Sequence, residues 1–319
     1  MPVRIDHSDH VYSVAQQMSA AAGSSVAASW RRCMTVHGLV PEEARKPQRL
    51  SESEFRLAQE RSGHLIEEAA GELDRLFMTV GKAGCCLLLT DEKGVALDRR
   101  GAATDDKDFR GIGLWSGTLW SEASAGTNGI GTAIADERPV TILRDQHFLS
   151  QNTILSCATA PIRDHQGKLA AAIDISTCRD DANDVTMSIL SQAVRDAAAR
   201  IEAGLFRRAY ASARIVLVPF DGRSAPALLA VDRDDLVLGA TRAARQHLGL
   251  DDSKIAAGIP ASDLLKEEIG MARGDLLEAE RAALRRVLSR AGGNVSHAAD
   301  ALGISRATLY RKMKRLSLH

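Results

Sequence analysis

The segment GTNGIGTA, Gly126 to Ala133, has three glycines in eight positions, and its role decides how the surrounding chain is expected to fold. No lysine follows the glycines, and their G-x-x-G-x-G spacing is not that of a dinucleotide-binding loop, so neither kind of phosphate site is indicated. We expect a short helix from Ser124 to Ala135, followed by a strand from Val140 to Leu143. Small residues let backbone approach backbone or a ligand, and the spacing leaves tight packing and a pocket wall both open.

Two pairs of strands flank this segment. Before it, the apolar run Cys85 to Thr90 is followed by a turn from Asp91 to Gly94 and a second strand from Val95. After it, CATAPIRDHQGKLAAAIDIS contains another pair, with its turn at Asp164 to Gly167. Turn residues between apolar runs indicate hairpins. The pattern predicts an α+β fold in which one antiparallel sheet has helices on its faces.

A long helix is predicted next, from Asp184 to Tyr210. Its apolar residues repeat at 3-4-3-4 spacing, which is typical of the seam of a coiled coil; these are Met187, Leu190, Val194, Ala197 and Ile201. Two heptads are fewer than the three or four that define a coiled coil well. We interpret this segment as a connecting helix that forms a homodimer.

The last part of the chain is strongly basic. From Arg281 to His319 there are nine Lys or Arg and one acidic residue, although the formal net charge of the whole chain is zero. An amphipathic helix is predicted from Asp275 to Arg290, with Gly292 and Gly293 ending it. Asn294 then caps a second helix, Gly303 ends it, and Ser305 caps a third; Leu309, Met313 and Leu316 face inward.

Two short helices joined by a tight glycine turn, the second of them basic, predict a helix-turn-helix that enters the major groove of double-stranded DNA. Arg306 and Arg311 are predicted to contact bases or phosphates, and Thr308, Tyr310 and Lys312 to hold phosphates. The alternative is a helical hairpin whose cations only face water. The full set of predicted DNA-binding residues is Asn294, Ser305, Arg306, Thr308, Tyr310, Arg311, Lys312 and Lys314.

These motifs resemble those of a known family. The tail pattern GN-x-S-x-A-A-x-x-L-G-I-S-R-x-T-L-Y-R-K-M-K is similar to the factor-for-inversion-stimulation (Fis) type helix-turn-helix of bacterial regulators. The order W-S-E-x-x-x-G-T-N-G-I-G-T-A, then Q-H-F, then C-A-T-A-P-I-R-D and A-I-D-I-S, resembles the GAF sensor domain of acetoin-catabolism-regulator-like transcription factors. Residues 26–54 also resemble the opening of that family, so the resemblance covers well over half of the chain.

The resemblance implies that the GAF domain binds a small-molecule effector. Candidate residues are Trp115, Trp120, Glu122, Asn128, Thr132, His147 and Cys157. A structural role competes for each, because tryptophans commonly anchor cores and asparagine commonly forms turns. A soft metal or redox site made by His147 and Cys157 with Cys85 or Cys86 is a further alternative to a histidine packed beside a buried thiol.

Residues 227–250 resemble the beginning of a PAS domain, but too few residues follow for a whole one. The predicted domains are an N-terminal helical segment (1–60), a GAF sensor (61–180), the connecting helix (181–212), an abbreviated PAS-like α/β segment (213–270) and an all-α helix-turn-helix (275–319).

Full-length regulators of this type place an ATPase of the AAA+ class between sensor and DNA-binding tail. The sequence contains no G-x-x-x-x-G-K-[ST] motif, and the space between the two parts is too short for that domain. We therefore expect that the chain alone does not open a sigma-54 promoter. Recruitment of another form of RNA polymerase, repression by occupying a site, and modulation of a full-length ATPase-containing relative stay open.

Composition restricts the remaining function classes. There is no run of about 18 apolar residues and no signal-peptide pattern, so we expect a cytoplasmic protein without a membrane segment. The five cysteines lack C-x-x-C spacing, and neither a disulfide framework nor a zinc site is indicated. We predict a regulator that is not an enzyme and needs no cofactor or metal. The alternatives are a GAF-type thiol-dependent sulfoxide reductase that uses Cys85, Cys86 and Cys157, and a ligand-independent nucleoid-structuring protein.

Overall fold

The structure, a computed structural model, describes residues 6–219, 225–233, 235–265, 280–281, 283–284, 287–288, 291–292, 294–316 and 318. The chain divides into two compact units, Met1–Ala261 and Ser262–His319. The first is an α+β unit and the second is helical. Among the helices that lie in these ranges, none is long and apolar enough to cross a membrane.

A five-stranded antiparallel sheet is the centre of the first unit. Its strands are β1 (Cys85–Asp91), β2 (Ala96–Arg100), β3 (Val140–Leu143), β4 (Ser156–Arg163) and β5 (Leu169–Thr177), in the order β2-β1-β5-β4-β3. Both predicted hairpins and the predicted strand β3 are confirmed. The β1–β2 turn forms because the Asp91 carboxylate accepts hydrogen bonds from the backbone of Lys93 and Val95, while Gly94 takes a left-handed φ of 85°.

Helices cover both faces of this sheet. On one face lie α5 (Gly63–Val80) and α9 (Asp184–Ala209), and on the other α6 (Asp106–Ile112), α7 (Glu122–Ala125) and α8 (Gly129–Asp136). Side chains alternate between the faces as a pleated strand requires, so Leu87 and Leu89 pack towards α5 and α9, and Cys86 and Leu88 towards the other layer. The functional candidates of the sensor lie mostly in this second layer.

The glycine segment forms two helices rather than the single helix predicted from Ser124 to Ala135. Helix α7 stops because Gly126 adopts a φ of 67°, and α8 restarts after Asn128, whose side chain caps it. A Cβ on Gly129 would lie 2.3 Å from the Thr159 hydroxyl, so α8 packs directly on the sheet. The glycines therefore serve close backbone packing.

Helix α9 has the predicted extent, but the interpretation of its apolar stripe as a seam between two chains is wrong. The five seam residues Met187, Leu190, Val194, Ala197 and Ile201 are all buried in the core of their own unit. They pack on α5 and on the sheet, and ion pairs such as Arg200 to Glu72 join the two helices across their outer edges. A periodic stripe of apolar residues predicts that one face of a helix is buried, but it does not specify which surface covers that face.

Four helices precede α5 and fold onto the sheet unit. They are α1 (His7–Ala15), α2 (Met18–Gly23), α3 (Ser25–Thr35) and α4 (Glu52–Arg61). Trp30 and Cys33 of α3 form a core with Phe148 and Leu149, which follow β3. Between α3 and α4 the chain crosses the domain, and Leu50 and Gln48 form backbone hydrogen bonds with Gly117 and Leu119. We call residues 41–50 the strap.

A small second sheet follows α9 in the first unit. Its strands are β6 (Arg214–Leu217), β7 (Leu228–Val231) and β8 (Val237–Ala240), and the helices α10 (Arg242–Leu248) and α11 (Asp252–Ala256) follow. The next helix along the chain, α12 (Ala261–Leu265), begins at the last residue of the first unit. Phe206 of α9 packs against Leu228 and Ala230 of this sheet. The two apolar runs predicted around residues 233–235 are β7 and β8, and Asp234 lies outside the described residues.

The second unit contains the two predicted short helices, α13 (Val295–Ala301) and α14 (Arg306–Arg315). Asn294 and Ser305 cap them, and Gly303 has a left-handed φ of 64° in the turn between them. Leu309, Leu316, Ala298 and Ala299 form the core with Leu284. Most of the helix predicted from Asp275 to Arg290, including Leu277, lies outside the described residues, as does Gly293.

Gly131 gives a direct test of the close packing of α8. A Cβ there would lie 2.6 Å from the backbone nitrogen of Glu122 and 2.8 Å from the carbonyl oxygen of Trp120. We expect Gly131→Ala to lower the free energy of unfolding by about 1–3 kcal/mol, as overpacking does. Urea unfolding followed by tryptophan fluorescence measures this, because all three tryptophans lie in the first unit.

The matched control is Gly71→Ala in α5. A Cβ at Gly71 would have no atom of the described residues within 4 Å. Alanine should therefore stabilise by about 0.5–1 kcal/mol through helix propensity. Equal effects of the two substitutions would contradict the close packing of α8.

Candidate functional site

The side chain of Asn128 forms hydrogen bonds with the backbone in and beside the glycine segment. Its Nδ2 donates to the carbonyl oxygens of Trp120 at 3.1 Å and Gly126 at 2.8 Å, and its Oδ1 accepts from the Gly131 amide at 2.9 Å. The residue is 1% exposed. Asn128 thus holds the break between α7 and α8, and its amide is committed to backbone partners.

Glu122 anchors the N-terminal helices to the sensor layer. Its carboxylate is buried and accepts two hydrogen bonds from Arg32 of α3, from Nε at 2.9 Å and from Nη2 at 2.8 Å. Arg32 also pairs with Asp136 at 2.9 Å. The hydrogen bond to Glu122 raises the pKa of Arg32. A two-pronged contact of this kind fixes orientation as well as supplying energy.

Ser29, one turn before Arg32, extends the same contact. Its hydroxyl donates to Glu122 at 2.5 Å and lies 2.7 Å from the Thr127 hydroxyl and 3.3 Å from that of Thr132. Ser29, Thr127 and Thr132 are all fully buried. Two of the candidate effector residues, Glu122 and Thr132, therefore face helix α3.

The two candidate tryptophans have different surroundings. Trp120 is 4% exposed, packs in the core of the second layer and donates its indole N–H to the Gly113 carbonyl at 3.0 Å. Trp115 is half-buried between two guanidinium groups, with Arg99 4.3 Å and Arg110 4.0 Å from the ring centre. Cation–π contacts at these distances stabilise the fold around α6.

His147 and Cys157 do come together. His147 Nε2 lies 3.4 Å from Cys157 Sγ, and its Nδ1 lies 3.0 Å from the Arg144 carbonyl oxygen. The carbonyl requires a proton on Nδ1, so Nε2 accepts from the thiol. Burial lowers the pKa of His147 to about 4 and raises the pKa of Cys157 well above its usual range. Both side chains are therefore neutral near pH 7.

A buried acid continues this line of polar groups. The Ser176 hydroxyl lies 3.1 Å from Cys157 Sγ and 2.5 Å from Asp174 Oδ2, and the Thr159 hydroxyl donates to the other oxygen of Asp174. Burial raises the pKa of Asp174 to about 6. Within the described ranges, no three His, Cys, Asp or Glu side chains converge as metal ligands.

The other two candidate thiols, Cys85 and Cys86, are arranged unfavourably for exchange with Cys157. Cys85 and Cys86 point to opposite faces of β1, and β5 lies between Cys86 and Cys157. Two strand spacings amount to roughly 9–10 Å, beyond the reach of a disulfide. Burial raises the pKa of Cys85 to about 11 and of Cys86 to about 12.

A small cleft lies between the strap and the sensor layer, with about 20 Å³ of free space, enough for about one water molecule. We call it the strap cleft. Gln151 joins the strap to the sensor layer, because its side-chain amide forms two hydrogen bonds with the Arg45 backbone, at 2.9 and 2.7 Å. Of the candidate effector residues, Trp120 borders this cleft. Its walls also include Ile112, Thr118, Leu149 and Asn152.

In the second unit, the predicted DNA-binding residues comprise two caps, four exposed residues and the half-buried Thr308 and Lys312. Asn294 accepts from the backbone of Ser296 and His297, and Ser305 accepts from the Thr308 amide. Of the predicted residues on α14, the exposed ones are Arg306, Tyr310, Arg311 and Lys314. Opposite them, Leu309 is fully buried, so α14 presents one basic face to solvent.

Lys312 is engaged within the protein. Its ammonium and the Arg315 guanidinium both contact the carboxylate of Glu280. The hydrogen bond from Lys312 lowers the pKa of Glu280. Glu280 thus fixes one edge of α14 and neutralises part of its charge.

Sequence reasoning missed Ser29, Arg32, Asp174 and Thr118. Asp174 interrupts the apolar run A-I-D-I-S, and an acid inside a buried strand is a usable signal. No local signal identifies Arg32, because its partner is 90 residues away.

Comparisons with known proteins agree with this architecture. The model of the MimR N-terminal domain matches residues 6–203, and that of the Fis-family bacterial regulatory protein matches residues 276–316. The acetoin catabolism regulatory protein of Cupriavidus necator is 34% identical over 224 residues, which are 69% of this chain and 34% of that protein. The propane 2-monooxygenase operon transcriptional activator MimR of Mycolicibacterium smegmatis is 29% identical over 54% of this chain and 28% of its own. The chain thus spans about a third or less of the length of these relatives.

A solved structure has the same fold. The Escherichia coli DhaR(N)–DhaL complex contains a chain that aligns with a TM-score of 0.53 at 17% identity, over 77% of this chain and 86% of that one. The first unit therefore shares the fold of a chain in that complex.

Removing the Arg32 guanidinium tests the anchor of α3. Arg32→Ala leaves the Glu122 carboxylate, 4% exposed, without its charged partner. We expect a loss of about 3 kcal/mol in the free energy of unfolding, near the lower end for a broken buried pair, because Arg32 is one-third exposed. Urea unfolding of Arg31→Ala, on the same helix, is the control, and equal losses would refute the anchor.

Asp174 gives a pH-dependent prediction. Its pKa in the folded chain is about 6 because of burial, above its ordinary value of 3.8. The folded chain therefore binds more protons than the unfolded chain between these values, and the contribution of Asp174 to stability falls as pH rises through this window. Asp174→Asn removes that loss.

The stability of Asp174→Asn relative to wild type should therefore rise by roughly 2–3 kcal/mol from pH 4 to about pH 6.5. Comparing urea unfolding of the two proteins at each pH cancels the titration of other groups. Asp180→Asn is the control, since that side chain is 97% exposed. A difference independent of pH would show that burial does not perturb Asp174.

Proposed function

Because this chain belongs to the family of the MimR N-terminal domain and contains a Fis-family helix-turn-helix, we propose that it is a DNA-binding transcriptional regulator controlled by a small-molecule effector. The observation that carries the proposal is the exposed basic face of α14 on a capped two-helix unit. A helix of this kind fits the major groove.

The charges of the second unit support contact with DNA. Arg306 and Arg311 are exposed at the start and middle of α14, where guanidinium groups can reach guanine edges or phosphates. Tyr310, 57% exposed, and Lys314 extend this surface. In this proposal Asn294 and Ser305 orient the helices, and Lys312 acts mainly through Glu280.

The proposed homodimer binds two-fold sites, as helix-turn-helix proteins commonly do. Since the seam of α9 is buried, a dimer contact requires another surface. Val185 and Ile189, one turn apart on α9, are 71% and 65% exposed. Exposed apolar residues on the outer face of α9 support it as the contact between copies.

The proposed effector is a short, neutral organic molecule. The names of two relatives connect them with acetoin catabolism and with a propane 2-monooxygenase operon. In this proposal residues 61–180 are the sensor and residues 275–319 the DNA-binding domain. Trp120 is the candidate effector residue that borders an open cleft. In this proposal Glu122, Asn128 and Thr132 have structural roles, because they form hydrogen bonds within the protein.

The proposed regulator does not activate the sigma-54 polymerase by itself. Residues 204–275, between the two matched regions, contain no Walker A motif and are too few for an ATPase domain. It acts by recruiting another form of RNA polymerase, by occupying a site, or by mixing with an ATPase-containing relative. The solved structure that shares this fold is a DhaR(N)–DhaL complex, which makes a protein partner a further candidate for this chain.

The observations on the cysteines weigh against the sulfoxide reductase. Its chemistry needs a thiolate and a second thiol within reach. Burial keeps Cys86 and Cys157 protonated, and an intervening strand separates them.

Arg306→Ala tests the DNA surface. The full chain is used to select genomic fragments at physiological salt, and affinity is then measured over a series of salt concentrations. If Arg306 reads a guanine, the variant should lose about 1–3 kcal/mol on selected sites and relax base preference. If it holds a phosphate, all sequences weaken alike and the salt slope falls by about 0.9.

The control is Arg75→Ala on α5, an arginine of the first unit with a 66% exposed side chain. It should bind like wild type. Diffuse binding without preferred sites, unaffected by any small molecule, would favour the nucleoid-structuring alternative, and absence of DNA binding would refute the proposal.

A further inference from the structure

One wall of the strap cleft contains a hydroxyl without a partner. Thr118 is 1% exposed, and its Oγ1 has no hydrogen-bond partner among the described residues. Buried polar groups in native proteins are nearly always paired, because each gave up its bonds to water. An unpaired hydroxyl in the wall of a cleft therefore indicates that a polar atom from outside the chain pairs with it.

A second polar side chain in the cleft is only weakly engaged. Asn152 is 3% exposed, and the one bond of its amide nitrogen, to the Ala125 carbonyl, has a length of 3.5 Å. This length is at the limit of a hydrogen bond. The Asn152 side-chain amide can therefore also form a hydrogen bond with a bound guest molecule.

The rest of the cleft favours an uncharged guest. Ile112, Trp120 and Leu149 supply apolar walls. The cations of the cleft, Arg45 and Lys46, belong to the strap, and Arg45 already pairs with Glu43 at 2.8 Å. A charged group placed against Thr118 would lose its hydration to the apolar wall formed by Ile112, Trp120 and Leu149.

We propose that the strap cleft is the effector site, and that it binds a neutral molecule of a few carbon atoms whose hydroxyl or carbonyl oxygen pairs with Thr118. This inference rests on the proposed sensing function and adds its location and ligand class. The strap is the wall that can move. It is held to the sensor by a few backbone hydrogen bonds and by the two hydrogen bonds between Gln151 and the Arg45 backbone. As it stands, the cleft has about 20 Å³ of free space, enough for about one water molecule, so a guest of this size enters only when the strap moves outward.

The test uses the full chain and 2-butanone as the probe. In a Trp30→Phe, Trp115→Phe background, Trp120 is the remaining tryptophan, and its emission reports occupation of the cleft. Thr118→Val keeps the shape and removes the hydroxyl. We expect the dissociation constant for 2-butanone to rise about 3- to 10-fold, the net value of one neutral hydrogen bond, while Thr118→Ser restores most of the affinity.

Unfolding separates a ligand role from a structural one. Thr118→Val should be at least as resistant to urea as wild type, because it removes an unpaired buried hydroxyl. The control is Thr90→Val. The Thr90 hydroxyl is equally buried but donates to the Asp91 carbonyl at 3.1 Å, so this variant should be less stable and bind 2-butanone unchanged.

Three outcomes overturn the proposal: no change in Trp120 emission with 2-butanone, an affinity that Thr118→Val leaves unaltered, or a Thr118→Val protein as destabilised as Thr90→Val. Affinity for DNA measured with and without the probe separates this site from the sensing function. If small molecules change DNA affinity equally in wild type and Thr118→Val, sensing stands and this site fails. If 2-butanone binds through Thr118 and no small molecule tested changes DNA affinity, the site stands and sensing fails.

Discussion

The close approach of helix α8 to the sheet is the constraint on which the sensor unit depends. Gly129 lies against Thr159, Asp174 and Cys157, where a side chain would collide with them. This contact fixes where α8 begins, and hence where Asn128 must turn the chain. This turn places Glu122 beneath the N-terminal helices, where Arg32 and Ser29 donate hydrogen bonds to its buried carboxylate. One packing contact thus connects the sheet to a segment about ninety residues earlier.

The parts of the fold that local chemistry specifies could be predicted from the sequence. The hairpin turn at Asp91 to Gly94 and the caps at Asn294 and Ser305 depend on neighbours within a few residues, and all are present. The stripe on α9 shows the limit of such reasoning. Its period requires burial, but a sheet in the same chain satisfies that requirement as well as a second helix does.

The candidate effector residues could be located by resemblance but not assigned roles. Thr132 and Trp120 are both buried, yet one faces a serine of α3 and the other borders a cleft. Whether a buried candidate contacts another helix or borders a cleft depends on long-range contacts, which the spacing of residues in the sequence does not specify. Thr118 illustrates the converse, since a threonine in a glycine-rich stretch is unremarkable until its surroundings are known. The missing partner of its hydroxyl is a property of the folded chain alone.

Glu280 has a consequence for how the protein searches a genome. By engaging Lys312 and Arg315, it withholds two of the cations that the sequence offers to DNA. Attraction to phosphates is the same for every sequence, so reducing it weakens binding to the vast excess of irrelevant sites. In the proposed DNA complex, contacts from Arg306 and Arg311 would then form a larger share of the total. A single acid beside α14 would therefore favour discrimination between sites over residence on arbitrary DNA.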